Sequence, residues 1–122
     1  MRDILFKGYN NKQNKWYYGM LDKFDNKYLI NDGSGTKSYV EEESIGQYTG
    51  FEDNNGNKIF EGDILDAGFG IIQIVKFKYG SWEAICEEKG DYFSHSLYSE
   101  SHSSNCKVVG NVYEEQKQKE NK

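Results

Sequence analysis

Cys86, His95, His102 and Cys106 are the only thiols and imidazoles in the chain. Four such ligands in tetrahedral array are what a structural zinc ion requires. Eight, six and three residues intervene between them, which does not reproduce the tight Cys-x-x-Cys turn of common zinc sites. The preferred reading is a buried Cys86 on a strand, two loop histidines and an inert Cys106, with no metal and no cofactor. The same residues make a poor hydrolase site, because no Asp or Asn is marked as the group that would orient a base. Two cysteines in an intracellular protein stay reduced. Asp53, Asn55 and Asn57 alternate as in a calcium loop, but Gly56 is misplaced and Ile64 stands where a bidentate Glu belongs. A hairpin turn explains them better. No catalytic residue is assigned and no enzyme is expected.

Lys76, Phe77, Lys78 and Tyr79 alternate base and ring. Such a strand can hold single-stranded nucleic acid by stacking and phosphate contact. Strict alternation, however, sends lysines and rings to opposite faces. The favoured reading is a solvated lysine face above an aromatic core. No Gly-Lys-Ser/Thr follows a strand, so there is no phosphate loop. Glu41 to Glu43 and Glu87-Glu88 read as solvated faces.

These residues must be carried by short strands. Asp3 to Tyr9, Lys15 to Leu21, Lys27 to Asn31 and Thr36 to Val40 are apolar runs between polar turns. Asp32-Gly33 and Asn55-Gly56 are hairpin signals, the second a type I′ candidate. Glu41 to Ser44 reads as one helical turn and Ile45 to Thr49 as extended or irregular. Ile59-Phe60 and Ile64-Leu65 flank Glu61-Gly62-Asp63. Ile71 to Tyr79 is the strongest strand, followed by Trp82 to Cys86, Tyr92 to Leu97 and a closing Lys107 to Tyr113. Ser94 to Asn105 reads equally as a loop or a short helix. Residues 114–122 form a polar tail expected to fray. Residues 1–113 are read as one mostly β domain, a small barrel or sandwich.

Composition narrows the class. In 122 residues, 36% are hydrophobic but 16% are aromatic. A disordered chain lacks rings, so this chain folds, around a core expected to be rich in them. Arg2 is the only arginine and proline is absent, the signature of an AT-rich coding sequence rather than of a partner. Residues 1–45 carry seven basic and seven acidic groups, and the rest eight and thirteen. The whole deficit of five therefore lies after Ile45, the opposite sign to a nucleic-acid binder. No apolar run approaches a membrane span, and Met1-Arg2-Asp3 does not open a signal peptide.

Three segments together resemble the YopX family of phage and prophage proteins. They are Arg2-Asp3-Ile4-Leu5-Phe6-Lys7-Gly8 with Trp16 and Gly19; Ile45-Gly46-Gln47-Tyr48-Thr49-Gly50 running through Asp53, Gly56, Ile59-Phe60 and Glu61-Gly62-Asp63-Ile64; and Val108-Val109-Gly110-Asn111-Val112-Tyr113-Glu114. Lys7 stands where the family usually has Arg. The resemblance implies a mostly β protein with an SH3-like barrel element and N-terminal strands or a hairpin. Gly46, Gln47, Tyr48, Gly50, Gly56, Glu61, Gly62, Asp63, Gly110 and Asn111 are read as turn-shaping residues. The expected function is a non-enzymatic module in the host cytoplasm that binds a phage or host protein. The alternative is a single-stranded nucleic-acid-binding barrel. Membrane contact is not expected, and self-association through edge strands is open.

Overall fold

The computed structural model describes residues 4–88, 91–97 and 106–120. The chain divides into two compact units, Met1–Tyr48 and Thr49–Lys122. It is mostly β, with antiparallel pairing and one helix.

In the first unit, β1 (Phe6–Asn10), β2 (Lys15–Phe24), β3 (Lys27–Asn31) and β4 (Lys37–Val40) form a meander, and β5 (Gly46–Glu52) begins beside β1. The β2–β3 turn is Asp25-Asn26, with φ of 53° and 60°. Both central residues are left-handed, as a type I′ turn requires, and Asp and Asn tolerate that region. Gly19 is required for a different reason. A Cβ there would lie 2.1 Å from the Asn31 carbonyl oxygen, so only glycine lets β2 and β3 meet. Beyond β4 the chain turns back to β1. The Glu41 amide donates to the Tyr9 carbonyl (2.8 Å), and Ser44 Oγ accepts from the Tyr9 amide (2.8 Å).

The expected closed SH3-like barrel is not found: the strand orders are open. In the first unit β4 is an edge strand that pairs with β3, and in the second Asp91–Ser96 and Lys107–Asn111 are the edges, so among the described residues neither order returns on itself.

In the second unit, the end of β5 meets β6 (Lys58–Phe60). A sheet then runs in the order β10-β9-β8-β7-β11, from β7 (Asp63–Asp66), β8 (Ile72–Lys78), β9 (Ser81–Glu88), β10 (Asp91–Ser96) and β11 (Lys107–Asn111). Its core joins Ile59, Leu65, Val75, Trp82, Ala84, Leu97 and Cys106. That cluster holds one ring, Trp82, with Phe51 packed against it, while Tyr48, Phe60 and Tyr113 are buried as well. Other rings stand at the surface, Phe24, Phe69 and Tyr79 among them. The segment read as a fraying tail begins in α1 (Val112–Glu120). Asn111 Oδ1 accepts from the Glu114 amide (2.9 Å), an N-cap that satisfies one of the open donors of the first turn.

Candidate functional site

The motif residues turn and tie the backbone. Asp53 is buried, and its carboxylate accepts four hydrogen bonds, from the amides of Asn55 (2.9 Å), Asn57 (2.8 Å) and Val108 (2.9 Å) and from Asn57 Nδ2 (3.3 Å). One side chain thus organises the β5–β6 turn and fastens β11 to it. Burial opposes its ionisation, but these donors together outweigh burial and hold the carboxyl below its ordinary value. The turn itself is not type I′. Gly56 has φ of 80° while Asn55 is not left-handed, and the Gly56 amide donates to the Asp53 carbonyl. That is the three-residue hairpin loop with one left-handed glycine.

Thr49 Oγ1 donates to the Ile59 carbonyl (2.8 Å) and accepts from the Phe51 amide. Asp63 is buried and accepts from the Phe60 amide (2.8 Å). Gly62, at φ 86°, uses both its groups, donating to Val75 and accepting from Val112. Gly110 follows a register shift between β11 and β7. Gln47 pairs with Phe6, Gly46 with Lys7, and the Tyr48 amide donates to the Leu5 carbonyl. Gly50 is left-handed at φ 91°, and Glu61 is exposed. Sequence reasoning passed over Thr49 and Asp53 as organisers, because nothing local shows that Asp53 reaches a strand 55 residues away.

Cys86 is half-buried on β9, and Cys106 is buried in the second core. Burial, then the Asp53 charge, pushes the Cys106 thiol up. His95 lies on β10 opposite Ala84, and His102 lies outside the described residues. Among the described residues, no group of three or more His, Cys, Asp or Glu could hold a metal ion.

The Lys76–Tyr79 stretch is arranged otherwise than alternation predicts. Val75 is fully buried, but Phe77 is 55% exposed, its ring edge against Trp82 at 5.0 Å. Tyr79 is not in the strand. With Gly80 it makes the β8–β9 turn, both with positive φ, and it is 89% exposed. Lys78 Nζ lies 5.8 Å from the Tyr79 ring centroid. Lysine and ring therefore meet, because the turn ends the alternation.

Two surfaces lay beyond local sequence reasoning. The β7–β8 hairpin ends in Gly68-Phe69-Gly70, all left-handed, with Phe69 wholly exposed. Ile71 and Ile72 beside it are exposed as well. A groove of about 380 Å³ follows on the outer face of the sheet, lined by Ile64, Ile72, Ile74 and Ile85, with Lys76 and Glu115 among its polar members. In the first unit, a cleft of about 470 Å³ lies among the β1–β2 turn, the β2–β3 turn and the end of β4.

A family model described as YopX protein matches residues 5–118. The chain belongs to the YopX family. The matched residues include the Asp53 tie, the Gly62-Asp63 turn and the Asn111 cap. Among solved structures, the chain is similar to the crystal structure of protein EF1440 from Enterococcus faecalis. Identity is 24%, with 97% of this chain and 99% of that chain covered and a TM-score of 0.47. No curated protein matches.

Proposed function

We propose that this YopX-family chain is a non-enzymatic protein-binding module, an accessory protein of a phage or prophage. The observation that carries the reading is Phe69. An L-residue in the left-handed region costs about 1–2 kcal/mol, and a fully exposed phenylalanine gains nothing from burial. Neither the backbone nor the core asks for Phe at this tip. The ring gains burial when a partner's pocket receives it, as aromatic anchors do at interfaces. The adjoining isoleucines extend the apolar contact, and the acid excess of the same unit suits a basic partner.

The test is capture from phage-infected cells with tagged wild type and Phe69→Ser. A protein retained by the wild type and lost with the variant, at unchanged circular dichroism, is expected. Equal retention by both would remove Phe69 from the interface.

A second reading, single-stranded nucleic-acid binding, draws on the exposed rings of Phe77 and Tyr79 beside Lys78. Oligonucleotide titration at low salt decides it. Affinity that falls with salt and with Lys78→Ala supports this reading, and no binding at low salt ends it.

A further inference from the structure

We propose that one face of the β1–β4 meander binds single-stranded nucleic acid, at a surface distinct from the second-unit surfaces of Phe69 and of Phe77 and Tyr79. Strand register sets the face. Along β2, Tyr18, Met20, Asp22 and Phe24 point to one side. Cross-strand pairing adds Lys7 beside Tyr18, Lys37 in the row of Met20, Tyr39 in the row of Asp22, and Lys27 beside Phe24. Leu29, between Asp22 and Tyr39, is its buried floor. On the opposite side Ile30 is buried and Val40 packs against Gly8.

The first argument is exposed apolar surface. Phe24 is 69% exposed, and Tyr18, Met20 and Tyr39 are about half exposed. Large apolar groups gathered on one face mark an interaction site. Tyr18, Met20 and Phe24 follow one strand, at roughly 6–7 Å for each two-residue step, so an extended chain of bases can lie along them.

The second argument is charge. The chain is acidic as a whole, but the meander is not. From Phe6 to Val40 stand Lys7, Lys12, Lys15, Lys23, Lys27 and Lys37, against Asp22, Asp25 and Asp32, a surplus of three positive charges. The acids that offset it, Glu41 to Glu43, follow the end of β4. Asp22 is the one acid on the face, and Lys37 Nζ meets its carboxylate at 2.9 Å. Lys27 Nζ stands 5.6 Å from the Tyr39 ring centroid, which places a cation inside the aromatic patch. Because that ring already carries an ammonium, stacking falls to Phe24 and Tyr18, and phosphate contact to Lys27.

The pairing of rings with lysines selects the ligand. Protein interfaces are depleted in lysine, whereas a single strand of nucleic acid uses both a flat ring for its bases and a cation for its backbone. A duplex keeps its base faces stacked inside, so exposed rings favour the single strand. Lysine is a point charge without the planar fork that reads base edges, so binding is expected to tolerate sequence changes.

The test is fluorescence anisotropy of labelled oligothymidylate, oligouridylate and a duplex of equal length, with the full-length chain at low and physiological salt. At least one single strand is expected to bind at low salt, more tightly than the duplex and more weakly as salt rises. At unchanged circular dichroism, Phe24→Ala should weaken that binding by about tenfold, and Lys27→Gln should flatten its salt dependence. Tyr18→Ser is the independent second ring variant. Lys78→Ala and Phe69→Ser should bind as wild type, and Phe24→Ala should still capture any protein held through Phe69, which keeps the sites apart. No binding of either single strand at low salt, equal affinity for the duplex, wild-type affinity in both Phe24→Ala and Tyr18→Ser, loss with Lys78→Ala, or full displacement by poly-glutamate would each overturn the proposal.

Discussion

At the scale of single residues, Asp53 matters most to the second unit. Its four donors come from one turn and one distant strand, so its charge and its position are both used. Because its folded pKa is lowered from the ordinary 3.8, its contribution is complete above that value and fades as pH falls through the lower folded one. Acid melting curves should therefore show stability dropping below about pH 4. Asp53→Asn should be less stable at neutral pH by roughly 2–4 kcal/mol and should show a flatter acid limb. Identical acid limbs in the two proteins would show that other carboxylates carry the effect. Asp22 and Asp32 are also lowered, by Lys37 and by Ser34 in the first place, but both are solvent-exposed and add little.

At the scale of elements, the hairpins were largely legible and their details were not. Alternation and turn residues located β2, β3 and β8 to within a few residues. They could not show that Tyr79 leaves the strand or that Asn55 is not left-handed, since turn type depends on which residues pair across it. Close approach is equally invisible in a sequence. Gly19→Ala would push a Cβ against backbone that cannot yield, so a loss of at least about 2 kcal/mol in chemical denaturation is expected. Gln73 shows the converse. It is buried on β8, and among the described residues its Oε1 has no hydrogen-bond partner. Gln73→Leu keeps the strand's inward packing and removes that cost, so the melting temperature should rise, with a gain of about 1 kcal/mol. A fall would indicate that the amide is satisfied in solution.

At the scale of the whole molecule, charge divides with the chain. Residues 1–45 balance, and the net charge of −5 comes from those that follow. A partner docking on the second unit should therefore bind through an acidic surround, and its affinity should fall steeply between low and physiological salt. Salt-independent binding would leave the apolar tip as the sole determinant. Among the described residues, no helix is long and apolar enough to cross a membrane.

The sequence by itself determined the family, the β class and the asymmetry of charge, because motif order, strand period and charge counts are local properties that survive without coordinates. Only the tertiary structure decided that Asp53 binds β11, which rings are buried and which exposed, and that two turns and the end of β4 in the first unit assemble a cleft. Each of those depends on residues far apart in sequence, and distance across a fold is set by strand pairing rather than by composition.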